Sequence, residues 1–168
     1  MKYYELDVEQ FIDQPVEKVF EFFSRPENLE VITPPRLGFT ILTPRPIPME
    51  KKSLIDYTMR ILGFPVHWRT LITSYDPPHG FVDEQIKGPY VLWHHRHSFK
   101  KENGGTIIRD TVRYAVPLGI IGRFLNLIWI RKDLKDIFAY RRKFIANKFG
   151  EQNYDLSFYK GWRETALE

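Results

Sequence analysis

Hydrophobic and polar residues alternate along most of the chain, and the alternation gives way to helical spacing near each end. Residues 3–12 place Tyr4, Leu6, Val8 and Ile12 on one side and Glu5, Asp7 and Glu9 on the other. That is the period-two pattern of a strand with one wet face. Pro15 suits the first turn of a helix, and the helix dipole favours Glu17 there. Val16, Val19, Phe20 and Phe23 follow at helical spacing. Pro26 opens a second short helix carrying Leu29 and Ile32. Thr33-Pro34-Pro35 closes it, because a residue before proline avoids the helical region. Strand-like runs come next, at 39–43, 53–61, 66–75, 81–86, 93–99 and 107–116. Proline-rich 44–48, the turn Asp76-Pro77-Pro78-His79-Gly80 and a bend at Gly88-Pro89 separate them. Residues 118–149 form the long helix: Ile121, Phe124, Leu125, Ile128, Leu134, Ile137, Phe138, Phe144 and Ile145 roughly keep its period. Its first part, 120–130, is apolar nearly all round. Residues 150–168 are polar with scattered aromatics.

The order is therefore strand, two short helices, six strands and one long C-terminal helix. Strands joined by short turns pair as an antiparallel meander. The expected fold is α+β, a curved sheet of seven antiparallel strands wrapped around helix 118–149. Residues 1–149 make one domain and 150–168 a polar tail. A cavity lies between sheet and helix, with the two short helices across one end.

The stretch Gly88-Pro89-Tyr90-Val91-Leu92-Trp93-His94-His95-Arg96-His97-Ser98-Phe99 carries the candidate chemistry. Trp93, His95, His97 and Phe99 share one face of a strand. Aromatics mixed with imidazoles suit the wall of a mostly apolar pocket. Asn103-Gly104 then signals a hairpin, since both turn residues need φ > 0. With that turn His97 faces Asp110, His95 faces Val112, Trp93 faces Tyr114 and Phe99 faces Ile108. If Gly104-Gly105 turn instead, His97 faces Val112 and Asp110 faces Phe99. Both registers are open at this point.

Composition narrows the function classes. The 168 residues contain 43% hydrophobic and 15% aromatic side chains and no cysteine. Disulfides, thiolate zinc sites and thiol nucleophiles are thus excluded. No run reaches the ~18 apolar residues of a membrane span. The N-terminal residues show no apolar leader, and a cytoplasmic location is expected. The net charge of +4 is uneven: residues 118–148 hold eight Lys and Arg against two Asp, a net of +6. Arg123, Arg131, Lys132, Lys135, Arg141, Arg142 and Lys143 are expected mainly on a solvated helix face. With apolar 125–130 beside them, weak contact with a membrane surface or a protein is a further reading. Nucleic-acid motifs, a phosphate loop and a serine elbow are all missing.

His97, His95 and Asp110 are the catalytic candidates, His97 moving a proton and Asp110 orienting it. The plainer reading is a buried polar network. A zinc site of His95 and His97 with Asp110 or His67 is less favoured, and no metal or cofactor is expected. The candidate ligand-binding residues are Trp68, Asp83, Gln85, Trp93, His95, His97, Phe99, Asp110, Val112, Tyr114, Phe124 and Ile128. Asp83 and Gln85 sit equally well inside or in solvent.

The chain resembles the SRPBCC superfamily, the helix-grip proteins that include START lipid-transfer domains, birch-pollen-type allergens and polyketide aromatase/cyclases. It is most similar to bacterial ligand-binding members, some labelled cell-division-inhibitor-like. Phe22-Phe23, Pro26-Glu27-Asn28-Leu29, Thr33-Pro34-Pro35 and Phe81-Val82-Asp83-Glu84-Gln85 carry the likeness. So do Gly88-Pro89-Tyr90 through Phe99, then Asp110, Val112 and Tyr114, within a span from about residue 3 to 148. The resemblance implies a helix-grip fold and a small hydrophobic or aromatic ligand, lipid- or polyketide-like. It brings no catalytic residues. A cyclase/dehydratase-like enzyme using His97 and Asp110 is the alternative, and a docking module through helix 118–149 a second one.

Overall fold

A computed structural model of the protein describes residues 2–150 and 159–166. Strand β1 (Lys2–Ile12) leads into α1 (Val16–Phe23), a 3₁₀ turn at Pro26–Asn28 and the single turn α2 (Leu29–Ile32). Strands β2 (Thr40–Ile41), β3 (Leu54–Ile61), β4 (Phe64–Asp76), β5 (Gly80–Lys87), β6 (Leu92–Glu102) and β7 (Gly105–Ala115) follow. Then come α3 (Gly119–Leu125), a π-helical turn at Asn126–Ile130, α4 (Arg131–Phe149) and β8 (Tyr159–Ala166). The sheet order is β2-β3-β4-β5-β6-β7-β1-β8.

The expected seven strands become eight. Tyr159–Ala166, read from sequence as part of the polar tail, pairs antiparallel with the outer side of β1. A polar edge strand draws its stability from backbone pairing along the neighbouring edge, and hydrophobic alternation records none of that. The long helix has its predicted extent, but it is interrupted. Asn126 is buried at the π turn, and its side-chain oxygen accepts from the Tyr114 hydroxyl at 2.7 Å.

Turn geometry decides the hairpin. Asn103 and Gly104 adopt φ of 49° and 82°. This is the left-handed region that Asn tolerates and Gly prefers. Glu102 therefore faces Gly105, and His97 faces Asp110. Of the two open registers this is the one that sets His95 against Val112 and Trp93 against Tyr114. Slippage by one residue would turn every buried group of β6 outward.

Two apolar clusters flank the site. At one end Phe20 and Phe23 of α1 meet Phe99 with ring centroids 5.4 and 5.2 Å apart. Ile12, Ile108 and Ile145 complete that cluster. At the other end Leu6, Val112 and Tyr114 pack under Leu134 and Phe138 of α4. The polar side chains discussed below lie between them.

Gly80 lies close against the β6 backbone, opposite Ser98. A Cβ added there would stand 2.3 Å from the His97 carbonyl oxygen, with backbone rather than a yielding side chain opposing it. Gly80→Ala is expected to cost about 1–3 kcal/mol, as overpacking does. Urea denaturation checks it; an unchanged midpoint would show that the two strands separate freely at this point.

Candidate functional site

A cavity of about 140 Å³ lies between the inner face of β3–β6 and helix α4. Its wall is largely apolar, with Ile55, Ile72, Phe81 and Trp93 from the sheet and Leu134 and Phe138 from the helix. Among the polar side chains on it are Asp83, His95, His97 and Arg141. Arg25, which also lines it, is exposed.

The polar cluster follows from register. On β5, Asp83 lies opposite His95, while Phe81 lies opposite His97. On β7, Asp110 lies opposite His97. The two imidazoles are one strand period apart, and their centroids stand 3.8 Å apart. Each ring is held between the two carboxylates. His97 donates from Nε2 to Asp83 Oδ2 at 2.9 Å. Its Nδ1 stands 2.7 Å from Asp110 Oδ1 without an aligned hydrogen bond. His95 donates from Nε2 to Asp110 Oδ1 at 2.9 Å, with Nδ1 3.5 Å from Asp83 Oδ2. Phe81 stacks on the other face of His97, centroids 4.1 Å apart. Arg141 Nη1 approaches Asp110 Oδ1 to 3.6 Å.

Burial and charge split the two histidines. Burial and the neighbouring His97 cation push His95 below the usual imidazole range. Burial also opposes charge on His97, but Asp110 and Asp83 outweigh it and raise its value. Asp110 is held well below the carboxylate range, because His97, His95 and Arg141 overcome its burial. Asp83 is lowered too, by the imidazoles and Arg141 against its burial. The opposed shifts favour the neutral form of His95 and the charged form of His97 between the two carboxylates, with Arg141 beside them. A buried charge persists only when paired in this way.

The structure sorts the sequence candidates. Trp68, Asp83, Trp93, His95 and His97 line the cavity. Asp110 stands behind the imidazoles, against Val8, Arg142 and Ile145. Val112 is fully buried in the core, and Phe99 packs on α1. Tyr114 is fully buried, its hydroxyl engaged by Asn126 rather than free for a ligand. Gln85 bridges the bend after β5: its amide donates to the Tyr90 carbonyl at 2.7 Å and its oxygen accepts from the Tyr90 N–H at 3.3 Å. Phe124 and Ile128 are corrections. They are 62% and 55% exposed, since this part of the helix precedes α4 and turns those side chains to solvent. Leu118, Ile120, Ile121 and Leu127 are exposed with them.

Arg141 was missed. The expected solvated face held it, yet it lines the cavity, and Arg142 is buried with its guanidinium donating to the Glu9 carbonyl at 3.0 Å. A signal existed: Leu134, Phe138, Arg141 and Ile145 follow one helical stripe, so a charge interrupts an apolar face. His67 is not near the site; it pairs with Asp56 at 2.8 Å. Asp83, His95 and His97 offer three ligand atoms within 4.8 Å of one another. Asp83 thus stands where the sequence reading put Asp110 or His67 as a third metal ligand.

No family model matches the sequence, and no curated protein does. Solved structures do. A START superfamily protein from Mycobacterium smegmatis superposes with TM-score 0.65 over 89% of this chain and 99% of its own, at 12% identity. Ginseng major latex-like protein 151 from Panax ginseng does so with TM-score 0.66, over 89% and 99%, also at 12%. A protein from Thermus thermophilus gives 0.65 over 86% and 98%, at 15% identity. The chain has a helix-grip fold. In helix-grip terms α4 is the gripped helix, and the His–Asp cluster lies on the gripping face of the sheet. No described helix is long and apolar enough to cross a membrane.

Proposed function

We propose that the protein binds a small hydrophobic or aromatic molecule in the cavity between the sheet and α4. The observation that carries this is the cavity itself, a void of about 140 Å³ walled by aromatic and aliphatic side chains. An engineered void of about 150 Å³ holds benzene, so a single ring with short substituents matches the volume. Burial of ligand carbon drives binding at roughly 25 cal/mol per Å², less the ordering costs. The START and major latex-like neighbours support the reading only through their shared fold.

Native mass spectrometry of freshly purified protein tests it, alongside Thr70→Phe. Thr70 is buried and lines the cavity, so a phenyl ring there fills the void. The wild type is expected to carry an apolar adduct that the folded variant lacks. Equal loading of both would end the proposal.

The catalytic alternative rests on one observation. His97 lines the cavity, is held by two carboxylates and has a raised pKa. A cationic imidazole facing an apolar cavity is placed to act as a general acid in cyclase/dehydratase-type chemistry. Turnover with a pH profile that His97→Gln abolishes would favour an enzyme. A ligand recovered unchanged, with the same affinity for both proteins, would favour a carrier.

A further inference from the structure

The cavity wall contains buried hydrogen-bond donors with no acceptor. Among the described residues Arg141 Nε and Nη1 have no hydrogen-bond partner. Nη1 makes a 3.6 Å ion-pair contact with Asp110, and the guanidinium carbon lies 4.9 Å from the Phe138 ring centre. Trp68 is 3% exposed, and its indole Nε1 likewise has no partner. Both residues line the cavity. Buried donors are seldom left unmet, because the group loses its water and gains nothing in return. These atoms have almost no accessible surface, so a turn of the side chain toward an occupant's acceptor oxygen would repair this; a pure hydrocarbon would offer nothing.

The charges around the same wall limit what that acceptor is. In the polar cluster Asp83 and Asp110 already face His97 and Arg141, two against two, and Asp133, also on the wall, is paired with Arg36 at 2.6 Å. A ligand carboxylate would add a third negative charge among buried groups. A carbonyl oxygen accepts from a guanidinium and adds no charge.

Building on the cavity-binding reading above, we propose that the ligand is a neutral ring compound with a carbonyl oxygen that accepts from Arg141. The Trp68 N–H supplies a second position for an acceptor. Arg141 is then a specificity residue. It adds little to the binding of the hydrocarbon body and selects the oxygen.

Three probes of nearly one shape separate the terms: ethylbenzene, acetophenone and benzoate, titrated calorimetrically into the full chain. The informative quantity is the ratio of the ethylbenzene to the acetophenone Kd, compared between proteins, which cancels each probe's own transfer from water. Arg141→Met is expected to lower that ratio about tenfold and to leave ethylbenzene within about threefold. Trp68→Phe is the second variant, with a smaller fall in the ratio expected. In the wild type, benzoate is expected to bind about tenfold more weakly than acetophenone. An unchanged ratio in Arg141→Met overturns the inference and leaves the cavity reading standing, provided ethylbenzene still binds. If Arg141→Met does not fold, the wild type decides alone, because benzoate binding tighter than acetophenone overturns the neutral ligand. Failure of all three probes to bind overturns the cavity reading and this inference with it.

Discussion

Asp110→Ala is expected to lower the stability of the fold by about 3–5 kcal/mol, the usual cost of removing one partner from a buried charge cluster. Asp110 is 5% exposed and faces His95, His97 and Arg141 together. Without it, His95 loses its hydrogen bond at Nε2 and Arg141 loses its ion pair. The His97 cation keeps only Asp83, so the buried charges no longer balance. His97 can shed its proton, which limits the damage; Arg141 cannot. Urea denaturation measures the change. Lys100→Ala is the control, since the Lys100–Glu102 pair on the same hairpin is exposed and such pairs contribute about 0–1 kcal/mol. If the two variants lose the same amount, the cluster is not buried in solution.

Stability should peak near neutral pH and fall on both sides. His97 is raised in the folded state. Its contribution is complete below about pH 6.5, the unfolded value, and is lost as pH rises through the raised folded value. His95 is lowered. Its contribution is present above about pH 6.5 and is lost as pH falls through the lowered folded value. Asp83 and Asp110 are lowered as well. They stabilise above about pH 3.9, the unfolded value, and lose this as pH falls toward their folded values. Each unit of displacement corresponds to about 1.4 kcal/mol. The alkaline limb belongs to His97 alone among these groups, so His97→Gln should remove it; the acid limb should shrink but persist, because His97 is one of several groups that hold the two carboxylates low. Thermal unfolding between pH 2 and 9 reads both limbs. An alkaline limb that persists in His97→Gln would assign the loss to another group.

The glycine close-packed under His97 and the donors on Arg141 belong to the same arrangement. Gly80 leaves room for the His97 carbonyl at the start of β5, and Asp83 lies three residues further along that strand, opposite His95. The hairpin half of that arrangement was legible. Asn103-Gly104 was one of two possible turns, and counting back from it paired His97 with Asp110; the structure chose it over Gly104-Gly105. Trp93, His95 and His97 then faced inward by alternation alone. The β5 half was not, because Asp83 alternates as well in solvent as inside. The polar alternation of β5 held no preference until β6 supplied its partners. β8 was missed for a related reason: its pairing with β1 uses backbone groups that every residue carries.

The chain's own pattern determined the curved antiparallel sheet, the gripped helix and the strand that carries two imidazoles, because periodicity and turn chemistry act between near neighbours. Only the tertiary structure decided which charges went inside. Asp83 and Arg141 are 58 positions apart and lie on different elements. Each is tolerable in the interior only because the other and the histidine pair are there too. A buried charge is settled by its neighbours in space, and a run of residues in order does not record them.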